Sequence, residues 1–205
     1  MECSSLCLVI QSAVAVGTIL VAVSAIWGER LRSWFAGPKL DVKLKDPRGY
    51  VIRLANGDRA IYYHIQVENR RRWAPAKRVR VLCTGVSKRG AGGRFVQQPW
   101  IIPLQLTWAF PQFHELLPNI PAEDVCDLGF VNEKRSAFDL STYVRPNDFS
   151  GSISAHEAMR VTLIPSADNF TPKSPYVLEV SWDGKWSDNL EEMRKHLLIE
   201  EVAKR

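Results

Sequence analysis

From Leu6 to Trp27 the chain runs through LCLVIQSAVAVGTILVAVSAIW without a charged side chain. Few features restrict a fold more. At about 1.5 Å of rise per residue a helix of this length reaches roughly 33 Å, close to the ~30 Å hydrocarbon core of a bilayer. The stretch reads as a single transmembrane helix, with everything after it tethered. Trp27 and Trp34 stand where interfacial aromatics anchor a span. Glu29–Phe35 continues the helix toward the headgroups, and Gly37-Pro38 ends it, since glycine frees the backbone and proline removes a donor. The expected division is therefore an anchor and juxtamembrane helix over 1–37 and a separate domain over 38–205.

Charge gives the expected orientation. Only Glu2 is charged before the span, while Arg30, Arg32, Lys39, Lys43 and Lys45 follow it, and Lys/Arg excess marks the cytoplasmic side. The expectation is a single-pass protein of the cell (inner) membrane with its C-terminal domain in the cytoplasm. A cleavable signal peptide would need a basic n-region and a shorter apolar core. The same missing basic region argues against a lipoprotein site at Cys3 or Cys7. Residues 29–100 hold 17 Lys and Arg against 5 Asp and Glu, whereas residues 101–205 hold 10 against 16. A basic half beside a span suits an anionic leaflet, at about 1 kcal/mol per Lys or Arg near the surface.

Within the span, Ala15, Thr18, Ala22 and Ala25 share one helical face. Ala13 and Gly17 form a small-xxx-small pair on another, and Gln11 offers an interhelical hydrogen bond. Gln11, Ala15, Gly17, Thr18, Ala22 and Ala25 are thus the expected helix-packing residues.

Beyond Pro38 the periodicity changes from helix to strand. Leu40, Val42 and Leu44 alternate with polar residues, Asp46-Pro-Arg-Gly49 turns the chain, and Tyr50–Leu54 completes a hairpin. Ile61, Tyr63, Ile65 and Val67 alternate with Tyr62, His64, Gln66 and Glu68, and Lys77–Gly85 is the expected partner, with Val79, Val81 and Cys83 inward. Five prolines at 99, 103, 111, 118 and 121 restrict the next stretch to a short edge strand near Leu104–Trp108 and an ordered crossover. Its Trp100, Trp108, Phe110 and Phe113 are either core or a docking surface. Strands follow at Val125–Val131, Ala137–Leu140, Met159–Ile164 and Tyr176–Trp182. The chain closes with an amphipathic helix at about 187–204, capped by Asp188 with Glu191 and striped by Leu190, Met193, Leu197 and Val202. Seven to nine short strands imply a mainly β fold, an antiparallel sandwich.

The run Ile61-Tyr-Tyr-His-Ile-Gln-Val-Glu-Asn69, followed by Ala76-Lys-Arg-Val-Arg-Val81, resembles paired strands of bacterial immunoglobulin-like modules. The ending Trp182-Asp-Gly-Lys-Trp186 is similar to that of uncharacterised membrane-tethered sandwich proteins. The resemblance covers about a third of the domain and implies an immunoglobulin-like sandwich and no catalytic residue. It departs from adhesion-type modules in location, since those lie outside the cell and the charges here argue for inside.

No chemistry is legible. His64, His114, His156 and His196 are isolated from other ligands, and HExxH, CxxC pairs, an EF-hand loop, GxSxG and the phosphate-binding loop are absent. His114-Glu115 and His156-Glu157 are neighbours on opposite faces if extended. No catalytic, metal or cofactor site and no small-molecule ligand is expected. Cys83 and Cys126 are expected as free thiols filling apolar positions; a disulfide between them, or use of the Asn169-Phe170-Thr171 sequon, would indicate the opposite topology.

The strongest charged feature is Arg70, Arg71, Arg72 and Trp73 with Lys77 and Arg78. Together with Arg30 and Arg32 it is the expected membrane-proximal basic surface. Three readings stay open: contact with anionic lipid, nucleic-acid binding with Trp73 as stacking platform, which the scarcity of other aromatics disfavours, or a solvated loop paired with the acidic half. The function expected is a non-enzymatic, membrane-anchored module that binds an unknown protein or a second copy of itself at the cytoplasmic face. Two alternatives stand beside it. One is a membrane effector whose assembled helices perturb the bilayer; the other is an extracytoplasmic recognition or adhesion domain.

Overall fold

The computed structural model describes residues 3–99, 102–110, 115–135, 137–170 and 174–202, with the first helix's side chains described at 9–25, 27, 28 and 36. The chain divides into two compact units, Met1–Gly37 and Pro38–Arg205. The first is one helix, α1 (Cys3–Ala36). It ends before Gly37-Pro38, where backbone freedom and a missing N–H meet. Every described side chain from Val9 to Ala25 is exposed. Among the described residues no helix is long and apolar enough to cross a membrane. A span over Leu6–Trp27 is therefore not supported as such: Gln11, Ser12, Thr18 and Ser24 dilute the apolar run, and the side chains of Leu6, Cys7, Leu8 and Ile26 lie outside the described set.

The second unit is mainly β, two six-stranded antiparallel sheets with a shared apolar interior. The first sheet holds β1 (Leu40–Leu44), β2 (Tyr50–Arg53), β3 (Arg59–Asn69), β7 (Glu123–Asn132), β8 (Ala137–Leu140) and β9 (Ser152–Ser154), in the order β1-β3-β7-β8-β9 with β2 also on β3. The second holds β4 (Arg80–Arg89), β5 (Phe95–Gln97), β6 (Leu104–Gln105), β10 (Glu157–Ser166), β11 (Tyr176–Trp182) and β12 (Leu197–Glu201), in the order β12-β11-β10-β4-β5 with β6 also on β4. Period-two patterning decides which face is inside. Ile61, Tyr63, Ile65 and Val67 of β3 are fully buried, and Val81 and Cys83 of β4, Met159, Val161 and Leu163 of β10, and Leu178 and Val180 of β11 meet them from the other layer.

Two expectations about pairing and one about the last helix are corrected. β1 and β2 do not form a hairpin with each other; both lie along β3, β1 against 65–69 and β2 against 59–62. β3 and the strand after it are not partners, because β3 pairs with β7 and β4 with β10. The loop between them crosses from one layer to the other, which lets both apolar faces point inward. The C-terminal helix is one short element, α2 (Leu190–His196), and the last strand replaces its expected continuation. Its N-cap is Asn189, whose Oδ1 accepts from the N–H groups of Glu191 and Glu192 at 2.9 and 3.3 Å. Beyond His196 the pattern turns to period two: Leu197 and Ile199 are buried and Leu198 and Glu200 exposed, so pairing with β11 buries more apolar surface than another helical turn.

The proline-rich segment closes one side of the sandwich. Leu106 N–H donates to Val81 O in the second sheet at 2.9 Å, and Ala109 N–H to Val125 O in the first at 2.9 Å. Between them Trp108 is fully buried, its indole N–H donating to Leu116 O at 3.3 Å. Trp108 is thus core. Phe110 is 64% exposed, and Trp100 and Phe113 lie outside the described residues.

Candidate functional site

The crossing loop from Asn69 to Arg80 brings the basic residues together, though not as the hairpin tip the sequence suggested. Three asparagines hold its backbone. Asn69 is 1% exposed; its Oδ1 accepts from Lys39 and Arg71 N–H, both at 3.1 Å, and its Nδ2 donates to Ala74 O at 2.8 Å. Asn119 Oδ1 accepts from Arg78 N–H at 3.0 Å. Asn169 Oδ1 accepts from Lys77 N–H at 2.9 Å while its Nδ2 donates to Pro75 O at 3.0 Å. The sequon asparagine is therefore committed to the loop by both ends of its amide. Short polar side chains that bond backbone groups replace the ladder a strand would supply.

On this frame Arg70, Arg72, Trp73, Lys77 and Arg78 are exposed and Arg71 is half-buried. Trp73 is 68% exposed, with the Arg71 guanidinium 5.8 Å from its ring centre. Arg70 pairs with Asp41, and Arg78, in the left-handed region at φ 51°, pairs with Asp168 at 3.6 Å. Both pairs are solvent-exposed, where screening leaves them worth little. Arg70 N–H also donates to Lys39 O at 2.9 Å, which seats the loop beside the first residues of the domain. Of the other expected basic positions, Arg30 and Arg32 have no described side chains. On α1, Gln11, Ala15, Gly17, Thr18, Ala22 and Ala25 are exposed, and the Thr18 hydroxyl donates to Val14 O at 2.9 Å.

The sign asymmetry along the sequence is partly folded away elsewhere. Arg59 pairs with Glu133 and Asp188, Arg48 with Glu191, Lys134 with Asp58 and Arg89 with Glu179, each joining the two halves of the chain. The crossing loop is where basic residues stay adjacent.

A second surface is the outer edge formed by β2. All four of its residues are exposed, including Tyr50, Val51 and Ile52 at 42, 44 and 39%. Leu54 N–H donates to Asp58 O at 2.8 Å, so 54 and 58 are a hydrogen-bonded pair of the β2–β3 ladder. Alternation then makes Ile52 and Tyr50 the next bonded positions and aims the backbone groups of Val51 and Arg53 away from β3.

On the outer face of the first sheet lies a pairing that the sequence did not signal. His64 Nδ1 stands 2.8 Å from Asp127 Oδ1, both side chains about nine-tenths buried, without the alignment of a hydrogen bond. A register shift between Tyr63 and His64 brings them opposite. The Tyr50 ring is 5.0 Å from the imidazole, and Tyr62 stacks on Phe130 at 5.0 Å. Burial first, then the Asp127 carboxylate, pushes the Tyr62 phenol up. His196 contacts Asp183 at 2.8 Å at the other end of the sequence, and His156 sits in the left-handed region. Among the described residues no three His, Cys, Asp or Glu side chains gather as a metal site. Cys83 and Cys126 are both buried and free, and burial pushes the Cys83 thiol up to about 12. A thiol so displaced is a poor nucleophile at neutral pH. His114 lies outside the described residues.

Compared with protein families, with characterised proteins and with solved structures, the chain shows no match.

Proposed function

We propose that the protein is a non-enzymatic, membrane-anchored β-sandwich that assembles with a second copy of itself through the free edge of β2. The observation that carries the reading is that edge, short but apolar, with outward backbone groups at Val51 and Arg53 and no proline or lysine to guard it. In a two-fold antiparallel pairing that uses those groups, Val51 of one copy meets Arg53 of the other and the two Ile52 side chains face each other. What supports the anchor is α1: Val9, Ile10, Val14, Val16, Ile19, Leu20, Val21 and Val23 are all exposed, and a helix with so wide an apolar surface needs a cover. The Lys and Arg residues that follow it favour a cytoplasmic domain. The immunoglobulin-like affiliation is supported by β3 and β4 lying in opposite layers, as the second and third strands of such sandwiches do. It is weakened by the order β3-β7-β8, in which the earlier strand of the β7–β8 hairpin sits next to β3.

The test is the mass of the detergent-solubilised full chain with Val51→Pro, which removes an outward N–H and leaves the β3 ladder intact, and with Ile52→Lys, which opposes like charges. Both are expected to reduce the assembly to a monomer. Assembly unchanged in both would refute the β2 edge. A second reading rests on α1, where Ala15, Thr18, Ala22 and Ala25 form a narrow small-residue stripe beside the large side chains, with Gln11 in line as a hydrogen-bonding group. If Ala15→Leu with Ala22→Leu dissociates the chain and the β2 variants do not, assembly belongs to the helix, as the membrane-effector alternative requires.

A further inference from the structure

We infer that the crossing loop Arg70–Arg78 is a docking surface for the phosphate-bearing headgroups of an anionic leaflet, with Trp73 entering the interfacial layer. The inference rests on the reading of α1 as an anchor and adds to it a second, electrostatic contact made by the sandwich itself. Three observations point the same way. First, the loop is preorganised: Asn69, Asn119 and Asn169 fix its backbone from three separate segments, so its cations are presented with little conformational freedom left to lose. A solvated charge run needs no such frame. Second, its composition matches the interface of a bilayer. Lys39, Arg70, Arg72, Lys77 and Arg78 are exposed around the loop; Arg70 pairs with Asp41 and Arg78 with Asp168, and both of those acids are exposed enough for a dense anionic surface to outcompete them. Trp73 carries its indole 68% exposed in their midst, an amphipathic ring of the kind that settles at headgroup depth. Third, the loop is bonded to the start of the sandwich unit. Arg70 N–H is bonded to the carbonyl of Lys39, the second residue of the sandwich unit, just past the Gly37-Pro38 break that ends α1. If α1 holds the chain to a membrane, a tether that joins the sandwich at Pro38 raises the local concentration of headgroups around a loop bonded to Lys39.

Nucleic acid is the competing polyanion. It is disfavoured by the single aromatic in the loop, Trp73, since single strands are held by successive stacking platforms.

The experiment is hydrogen exchange of the full chain in lipid nanodiscs, made of phosphatidylcholine alone or of phosphatidylcholine with phosphatidylserine. Amides of 70–78 are expected to exchange about fivefold or more slowly in the anionic discs, the change that one Lys or Arg near such a surface corresponds to. The difference should disappear at high salt and in the variant Arg70→Gln/Arg71→Gln/Arg72→Gln. A Trp73→Ala variant should halve it or more while leaving the rest of the sandwich protected as before. Equal exchange in both lipids, with the chain still in the disc, would overturn the docking surface and leave the anchor standing. A chain that does not stay with discs of either composition would overturn the anchor, and this inference with it. Protection by a short single-stranded RNA in place of phosphatidylserine would assign the loop to nucleic acid instead.

Discussion

Asn69 shows how much of this molecule depends on one amide. Three backbone groups that no strand can satisfy, at Lys39, Arg71 and Ala74, are bonded to its side chain at the point where the chain leaves one sheet for the other. Asn69→Ala leaves them without that partner, and the expected loss is about 3 kcal/mol, read from urea denaturation. A change below half of that would mean the loop finds other partners. Phe110 is the reverse case, a bulky exposed residue held at φ 57°. Phe110→Gly should raise stability by up to about 1 kcal/mol. The buried acids set an alkaline limit. Burial pushes Cys83 to about 12 and, against the bond from Leu44 N–H, Tyr176 to about 12. Below the ordinary values, about 8.5 and 10, both states hold the proton and the contribution is complete. Between there and pH ~12 the unfolded chain binds fewer protons, so stability falls as pH rises. Thermal midpoints should decline from about pH 9 upward, and less steeply in Cys83→Ala; a flat profile would contradict it.

At the scale of elements, the strands were legible because alternation fixes a face. β11 appears at the expected Tyr176–Trp182 and β8 at Ala137–Leu140. Partners were not legible, because period two says which residues face inward and nothing about which strand lies alongside. The crossing after Asn69 therefore read as a hairpin. The end of the chain misled for another reason: Leu190, Met193 and Leu197 satisfy a helical spacing, and Leu197 with Ile199 satisfies a strand, so the same leucine serves both patterns. Only pairing with β11 decides. Ile199→Asp should cost on the order of 3 kcal/mol by burying an unpaired charge, whereas Leu198→Asp on the solvent face should stay within about 0.5 kcal/mol. The opposite ranking would restore the helix. Trp108 was undecidable in sequence, since its proline-rich surroundings suit both a surface loop and a cover strand. Buried between the sheets, its replacement by Ala should cost about 3–5 kcal/mol.

At the scale of the whole molecule, two sequence asymmetries have different fates. The basic first half and acidic second half interleave in both sheets, and part of the contrast is neutralised in cross-half ion pairs such as Arg59 with Glu133. The densest basic run is local, the loop at 70–78, and its residues were visible as a run although its frame of asparagines was not. The His64–Asp127 contact was invisible altogether, because the register shift that aligns it leaves no mark in composition. The apolar character of α1 is not absorbed in this way; its described side chains from Val9 to Ala25 remain exposed. Attachment to a membrane therefore depends first on where α1 goes. A reporter active only in the cytoplasm, fused after the last strand, is expected to be active, and its extracytoplasmic counterpart silent. The most direct measurement comes before topology: flotation of the full chain with phospholipid vesicles, followed by an alkaline carbonate wash. The chain is expected to rise with the vesicles and remain with them after the wash. Recovery of the chain free of lipid would contradict the anchor and, with it, the assembly at a membrane that the β2 edge is proposed to serve.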